Sequence, residues 1–181
     1  NTEIYGNISQ NYRSVTFADI SIVNPAFTIN PEIDDEKGFT TDIGFRGNYK
    51  RKISFDIGAF GLIYKDRIGF VQKAFSDGSV KSERGNVGDA FIYGIESLID
   101  FNLNKIFIKD NDFSFNYFTN ISVIDSKYTS SQVNGVEGNK VEFVPNLNFK
   151  TGIKFGYKNL LSNIQYTYLS EQFTDATNAK E

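Results

Sequence analysis

The chain has 181 residues, enough for one domain or a piece of a larger one, with 19 Lys and Arg against 22 Asp and Glu and a net charge of -3. That mixed balance gives nucleic acid no electrostatic foothold, so no such partner is expected. With no Cys and no His, disulfides, thiolate or imidazole metal sites and His-based triads are excluded.

No motif built on carboxylate, Lys, Tyr or Ser takes their place. The chain therefore reads as a non-enzyme, with no catalytic residue, no metal site and no cofactor of its own. Mean hydropathy is -0.33, and no apolar run approaches the length of a spanning helix. A membrane barrel stays open, because strands that alternate keep their average hydropathy low. The start, "NTEIYGNIS", carries no Met, basic stretch or apolar signal region, which is the expectation for an internal fragment or a chain whose signal was removed.

Seven strands are expected, at roughly 2–12, 38–49, 52–65, 88–104, 112–127, 143–157 and 160–172. The first is too weakly patterned to assign a face. In the second, Phe39, Thr41, Ile43 and Phe45 oppose Thr40, Asp42, Gly44 and Arg46. The third repeats the pattern with Ile53, Phe55, Ile57 and Ala59, but Phe60 and Leu62 fall on its polar side. Ile95, Ile121, Ile153 and Ile164 mark the greasy faces of the last four, against Glu96, Asn120, Lys154 and Gln165. Arg46, Asp56, Glu96 and Lys154 are expected to pair across neighbouring strands.

Connections alternate in length. Polar segments at 13–37, 66–87 and 128–142 separate short ones near 48–52, 105–111 and 158–159. That parity belongs to an up-and-down barrel with long loops at one end and tight turns at the other. Strands this long exceed the usual globular three to ten residues, and suit a tilted crossing of a bilayer. Aromatics near strand ends (Tyr49, Tyr64, Phe91, Tyr93, Phe113, Phe115, Phe155, Tyr157, Tyr168) fit interfacial girdles. The fold class is therefore all-β, a transmembrane antiparallel barrel with lipid outside and water or a polar plug inside. The competing reading is a large soluble β-protein such as a surface adhesin, which loop parity and strand length disfavour.

Several segments resemble TonB-dependent outer-membrane receptors. "INPEIDDEKGFTTDIGFRGNYK" is similar to a mid-barrel loop and strand of that family, and "FGLIYKDRIG" to the strand after it. "NVGDAFIYGIESLIDFNL" resembles the Tyr-Gly-Ile-Glu strand, and "VEFVPNLNFKTGIKFGYKN" a later one with a single Pro. "YLSEQFTDATNA" is similar to a strand and loop of ferric dicitrate receptors. The family's plug, with its energy-coupling box, and its last strands have no counterpart here. The resemblance thus implies that 1–181 is part of a barrel of about 22 strands, with the plug domain and C-terminal strands absent.

The resemblance also implies a role, in the outer membrane of a Gram-negative bacterium: import of a ferric chelate, either ferric citrate or a siderophore. Its partners would be outer-membrane lipid, the TonB complex acting through the missing plug, the barrel-assembly machinery and the chelate itself. An importer of oligosaccharide or cobalamin and a passive porin are the alternatives. An anionic chelate needs guanidinium and ammonium donors. Arg67, Lys73 and Arg84 in the 65–84 loop, which also holds Lys65 and Lys81, are the candidate ligand-binding residues, with Arg13 after the first strand. The same residues also read as a mixed-charge surface loop. Glu32, Asp34, Asp35 and Glu36 match no Ca²⁺ loop and read as a solvated turn.

Overall fold

A computed structural model describes residues 1–21, 23–108 and 112–179. In chain order the elements are β1 (Thr2–Arg13), a short helix α1 (Phe17–Ile20), β2 (Phe27–Ile29), β3 (Glu36–Tyr49), β4 (Ile53–Ala74), β5 (Val80–Asn102), a π-helical turn (Asn104–Ile108), β6 (Phe113–Ser130), β7 (Leu147–Tyr157) and β8 (Leu160–Leu169). All strands join one sheet in the order β1-β3-β4-β5-β6-β7-β8, every neighbour antiparallel. Short β2 lies parallel on β5. Connections 14–35, 75–79 and 131–146 all fall at one end, as loop parity requires.

Register carries the period-two reading across the whole sheet. One rung joins Ile4, Phe45, Ile57, Ser97, Ile121, Phe149 and Tyr168; a neighbouring rung joins Ile43, Ala59, Ile95, Val123 and Leu147. A one-residue slip in any strand would break these rungs. On this face Ile43, Ile95 and Ile164 are 61%, 60% and 76% exposed. An apolar sheet face that wide is a lipid contact, not a soluble surface. No described helix is long and apolar enough to cross a membrane; strands make the crossing.

Aromatic pairs border the band. Phe113 and Tyr157 stack at 4.6 Å and Phe101 meets Tyr117 at 6.0 Å near the tight turns, while Phe91 and Tyr93 stack at 5.0 Å near the loop end. Tyr64 does not join the girdle. It pairs with Gly38 and Ala90 on the inner face and packs against a buried cluster of Val71, Val87, Ile92, Tyr128 and Val141. Phe60 and Leu62 pack there too, which is why β4 reads poorly as a two-faced strand.

Two further expectations need correction. Residues 66–87 are not a loop but the continuation of the β4–β5 hairpin, paired from Arg67 with Gly88 to Ala74 with Val80 around a turn at 75–79. Beyond the lipid the outer face no longer has to be apolar, so the ladder persists while the alternation that advertises it disappears. The inner charges also pair differently. Arg46 bridges Glu3 and lies over the Tyr5 ring, Asp56 accepts the Tyr5 hydroxyl at 2.7 Å, and Lys154 lies 5.3 Å from the Phe118 ring centre.

Inside the sheet an aromatic ring repeatedly lies across the glycine opposite it. Tyr5 covers Gly44, Phe60 covers Gly94 and Phe118 covers Gly152, each a direct cross-strand pair. A Cβ at Gly94 or Gly152 would stand 3.0 Å or 2.7 Å from the ring, and one at Gly44 would overlap it. At Gly94 and Gly152 the Val123 and Ile164 carbonyls, 2.6 Å and 2.7 Å from that Cβ, exclude a side chain as well.

Sidedness predicts unequal costs for one substitution on adjacent residues. Ile121→Arg, on the lipid face near mid-membrane, should destabilise the complete barrel by about 2–4 kcal/mol. Ser122→Arg, facing Glu96 across the inner register, should be nearly neutral. Denaturant titration after refolding into lipid vesicles measures both, and equal costs would refute the assignment.

Candidate functional site

The loop end of the inner face is where the chain concentrates its buried charge. Between Tyr64 and Ile68 the β4–β5 register shifts twice, with Asp66 at φ 54° and Gly88 at φ 153°. Simple alternation would put Arg67 outside; the bulge swings it inside. There Arg67 donates to Glu142 at 2.6 Å and to the Tyr128 hydroxyl at 2.8 Å, and Tyr128 donates to the other Glu142 oxygen at 2.7 Å. Tyr128 and Glu142 are completely buried. Burial, reinforced by the Glu142 carboxylate, pushes the Tyr128 phenol far above its ordinary value despite Arg67. Gly69 is required opposite, since any Cβ would strike the Glu142 carboxylate.

A second centre forms around Asp19 of α1, also buried. Its carboxylate accepts from Arg13 at 2.8 Å, Arg84 Nε at 2.9 Å, the Thr16 amide at 2.9 Å and the Thr16 hydroxyl at 2.7 Å. Burial opposes ionisation, but the Thr16 and guanidinium donors outweigh it and hold the carboxyl well below its usual range. Arg84 also lies 4.7 Å over the Phe70 ring, which Phe27 of β2 meets edge-on. The 14–35 connection is thereby fastened across the hairpin, with β2 taking the place beside β5 that β6 vacates after Ser130.

Two more segments pack over this end of the sheet from the inner side. Residues 131–146 fold over the cluster, burying Val136 and Val141. Residues 170–179 return from β8 along them: Phe143 N–H donates to Phe173 at 2.9 Å, Lys140 N–H to Asn178 at 2.8 Å, and Ala176 N–H reaches Phe70 of β4 at 2.9 Å. The four candidate cations thus divide. Arg13 and Arg84 are brought together on Asp19, Arg67 is held by Glu142, and Lys73 pairs with Glu83 at 2.8 Å near the hairpin tip. Among the described residues no acidic group of three or more could hold a metal ion.

The family described as "TonB dependent receptor-like, beta-barrel" matches residues 1–180. The chain belongs to that family. Membership puts this receptor segment in the outer membrane of a Gram-negative bacterium, in a family of transporters rather than enzymes. No curated protein matches it in sequence. Among solved structures it is similar to the copper transporter OprC (16% identity, 93% of this chain and 24% of that one, TM-score 0.68). It is also similar to the ferric yersiniabactin uptake receptor FyuA of Yersinia pestis (18%, 98% and 25%, TM-score 0.66) and to the unliganded ferric citrate transporter FecA (16%, 98% and 24%, TM-score 0.69). The chain spans about a quarter of the length of each.

Three residues of the receptor segment's mouth escaped the sequence reading: Asp19, Tyr128 and Glu142. Each lies in or beside a segment expected to be a loop. Their one signal was an excess of candidate cations that needed carboxylates somewhere.

Asp19 supplies a pH test. A carboxyl depressed in the folded state stabilises fully above its unfolded value of about 3.9 and gives that stability up only as pH falls through the folded value. The 14–35 connection of the complete receptor should therefore resist limited proteolysis at pH 4 as well as at pH 7, each probed with a protease active at that pH. Asp19→Asn, which leaves two guanidinium groups facing a neutral amide, should be cleaved there at both. Resistance of the wild type that vanishes already between pH 5 and 4 would contradict the arrangement.

Proposed function

We propose that the complete protein imports a ferric chelate, ferric citrate or a siderophore, across the outer membrane, driven by TonB through a plug that this chain does not include. The built rim is the observation that carries this reading. Val136 and Val141 are fully buried in the 131–146 connection, which the Arg67–Glu142 pair fixes to β4. A receptor for a scarce solute gains affinity from such a rigid, preorganised rim, which a passive pore does not need. Of the three similar structures named above, two are a ferric citrate transporter and a ferric yersiniabactin receptor and one a copper transporter, which supports the choice of cargo two to one.

Of the four candidate cations, Arg13 and Lys73 are the better placed to meet a ligand, with side chains 40% and 51% exposed. Arg67 and Arg84 act by holding the rim. Removing Arg67 leaves the buried Glu142 without a cation, which typically costs about 3–5 kcal/mol; removing Arg84 costs less, because Arg13 still faces Asp19.

The test is radioiron uptake by cells whose only ferric-chelate route is the full-length receptor. Uptake should saturate and should stop when the inner-membrane energy supply is collapsed. Lys73→Ala should weaken ferric-citrate binding roughly two- to five-fold at low ionic strength and little at physiological salt, where the Debye length is about 8 Å. Energy-independent, unsaturable uptake would make the protein a porin. Energised uptake of an oligosaccharide or cobalamin, with none of iron, would replace the cargo.

A further inference from the structure

The two ends of the sheet carry their cations differently. At the loop end Lys65 is paired with Asp89, Lys73 with Glu83 and Lys140 with Asp125. At the tight-turn end the β3–β4 connection is Lys50-Arg51-Lys52, with no carboxylate in it, and the β7–β8 connection is Lys158-Asn159. Residues 103–112, between the two, hold two Lys and two Asp and add no net charge. Asp112 lies beside Lys158, its carbonyl accepting the Lys158 N–H at 3.3 Å, so the β3–β4 turn is the more strongly basic of the two.

Lys50, Arg51 and Lys158 have φ of 52°, 55° and 50°, in the left-handed region where Gly or Asn is the ordinary occupant of a tight turn. The backbone gains nothing from a cation there; the side chains account for the choice. Their direction is set as well. Lys50 Nζ lies 5.3 Å from the centre of the Tyr49 ring, and Lys158 Nζ 5.2 Å from that of Tyr157. By register both rings belong to the lipid face, Tyr49 in line with Phe45 and Ile43, Tyr157 with Ile153. Both β3 and β7 have a ladder neighbour on each side in this chain, so this face is the barrel's exterior whatever fills the bore. A Tyr at the end of an apolar band sits at headgroup level, and a Lys laid back over it holds its ammonium there.

We propose that the tight-turn end binds the phosphates of anionic phospholipids in the periplasmic leaflet, with Lys50, Arg51 and Lys52 as the main site and Lys158 as a second, weaker one. Short turns belong to the periplasmic side of such barrels. Each Lys or Arg near an anionic bilayer surface strengthens the attraction roughly five-fold, so three in one turn distinguish an anionic from a zwitterionic headgroup. The proposal needs only the membrane face and is independent of the cargo.

The full-length receptor is reconstituted into vesicles of equal phosphatidylglycerol and phosphatidylcholine, re-extracted in mild detergent, and its retained lipids are counted by mass spectrometry. Wild type should keep phosphatidylglycerol in preference, and less of it as salt is raised. Lys50→Gln, Arg51→Gln and Lys52→Gln together should lower the retained phosphatidylglycerol at least three-fold, and Lys158→Gln less than two-fold. Lys50→Arg with Lys52→Arg, which keeps the charge, should match wild type. Should the triple variant not fold, Lys50→Gln alone carries the test, with a loss of about two-fold. Equal retention of the two lipids by wild type overturns the proposal, as does wild-type retention by the Gln variants. Loss of a co-purifying acidic protein from the Gln variants, with lipid retention unchanged, overturns it too and gives the turn to that partner.

Discussion

Inside a bilayer no water is available to a backbone amide, so every N–H and C=O in the spanning stretch must find its partner along the ladder. The receptor segment obeys this without interruption: from Tyr49 with Ile53 to Tyr64 with Ala90, β3, β4 and β5 pair residue for residue. Irregularity is admitted only where water returns. The register shifts of β4 and β5 begin above Tyr64, where Lys127 and Asp125 on the outer face of β6 already mark the polar boundary. Everything that distinguishes the mouth is built on that one permitted break.

The mouth places ion pairs as well as apolar contacts at its points of attachment. Asp19 and Glu142 are each taken out of water, which is costly, and each is repaid by two or more donors with good geometry. Such pairs contribute less to net stability than to uniqueness of arrangement. Asp19 has to meet Arg84, 65 residues later, and Glu142 has to meet Arg67, 75 residues earlier. These two long-range pairs tie the 14–35 and 131–146 connections to the β4–β5 hairpin.

How much of this could be read from the residues follows from the same physics. Ile43, Ile95, Ile121 and Ile153 announce their face because lipid demands an apolar side at every second position, and the register puts them on one surface. Once the strands leave the lipid the demand lapses. Arg67 to Ala74 and Val80 to Val87 therefore looked like loop although they are strand. Tyr64, Phe60 and Leu62 misled in the opposite way, because their apolar partners arrive from segments far along the chain. The candidate cations were visible, but charge alone does not name a partner. That Arg13 and Arg84 share one carboxylate depends on a bulge and a four-residue helix that leave no periodic trace.

The rings laid over Gly44, Gly94 and Gly152 have a mechanical consequence. A ring lying flat over a glycine takes up little height above the sheet and leaves its upper face for another side chain to rest on. Arg46 lies over Tyr5 and Lys154 over Phe118, while Phe60 packs beneath the buried cluster at the loop end. The glycines, by making room for the rings, thus lay a floor on which the charged side chains of the inner wall are seated.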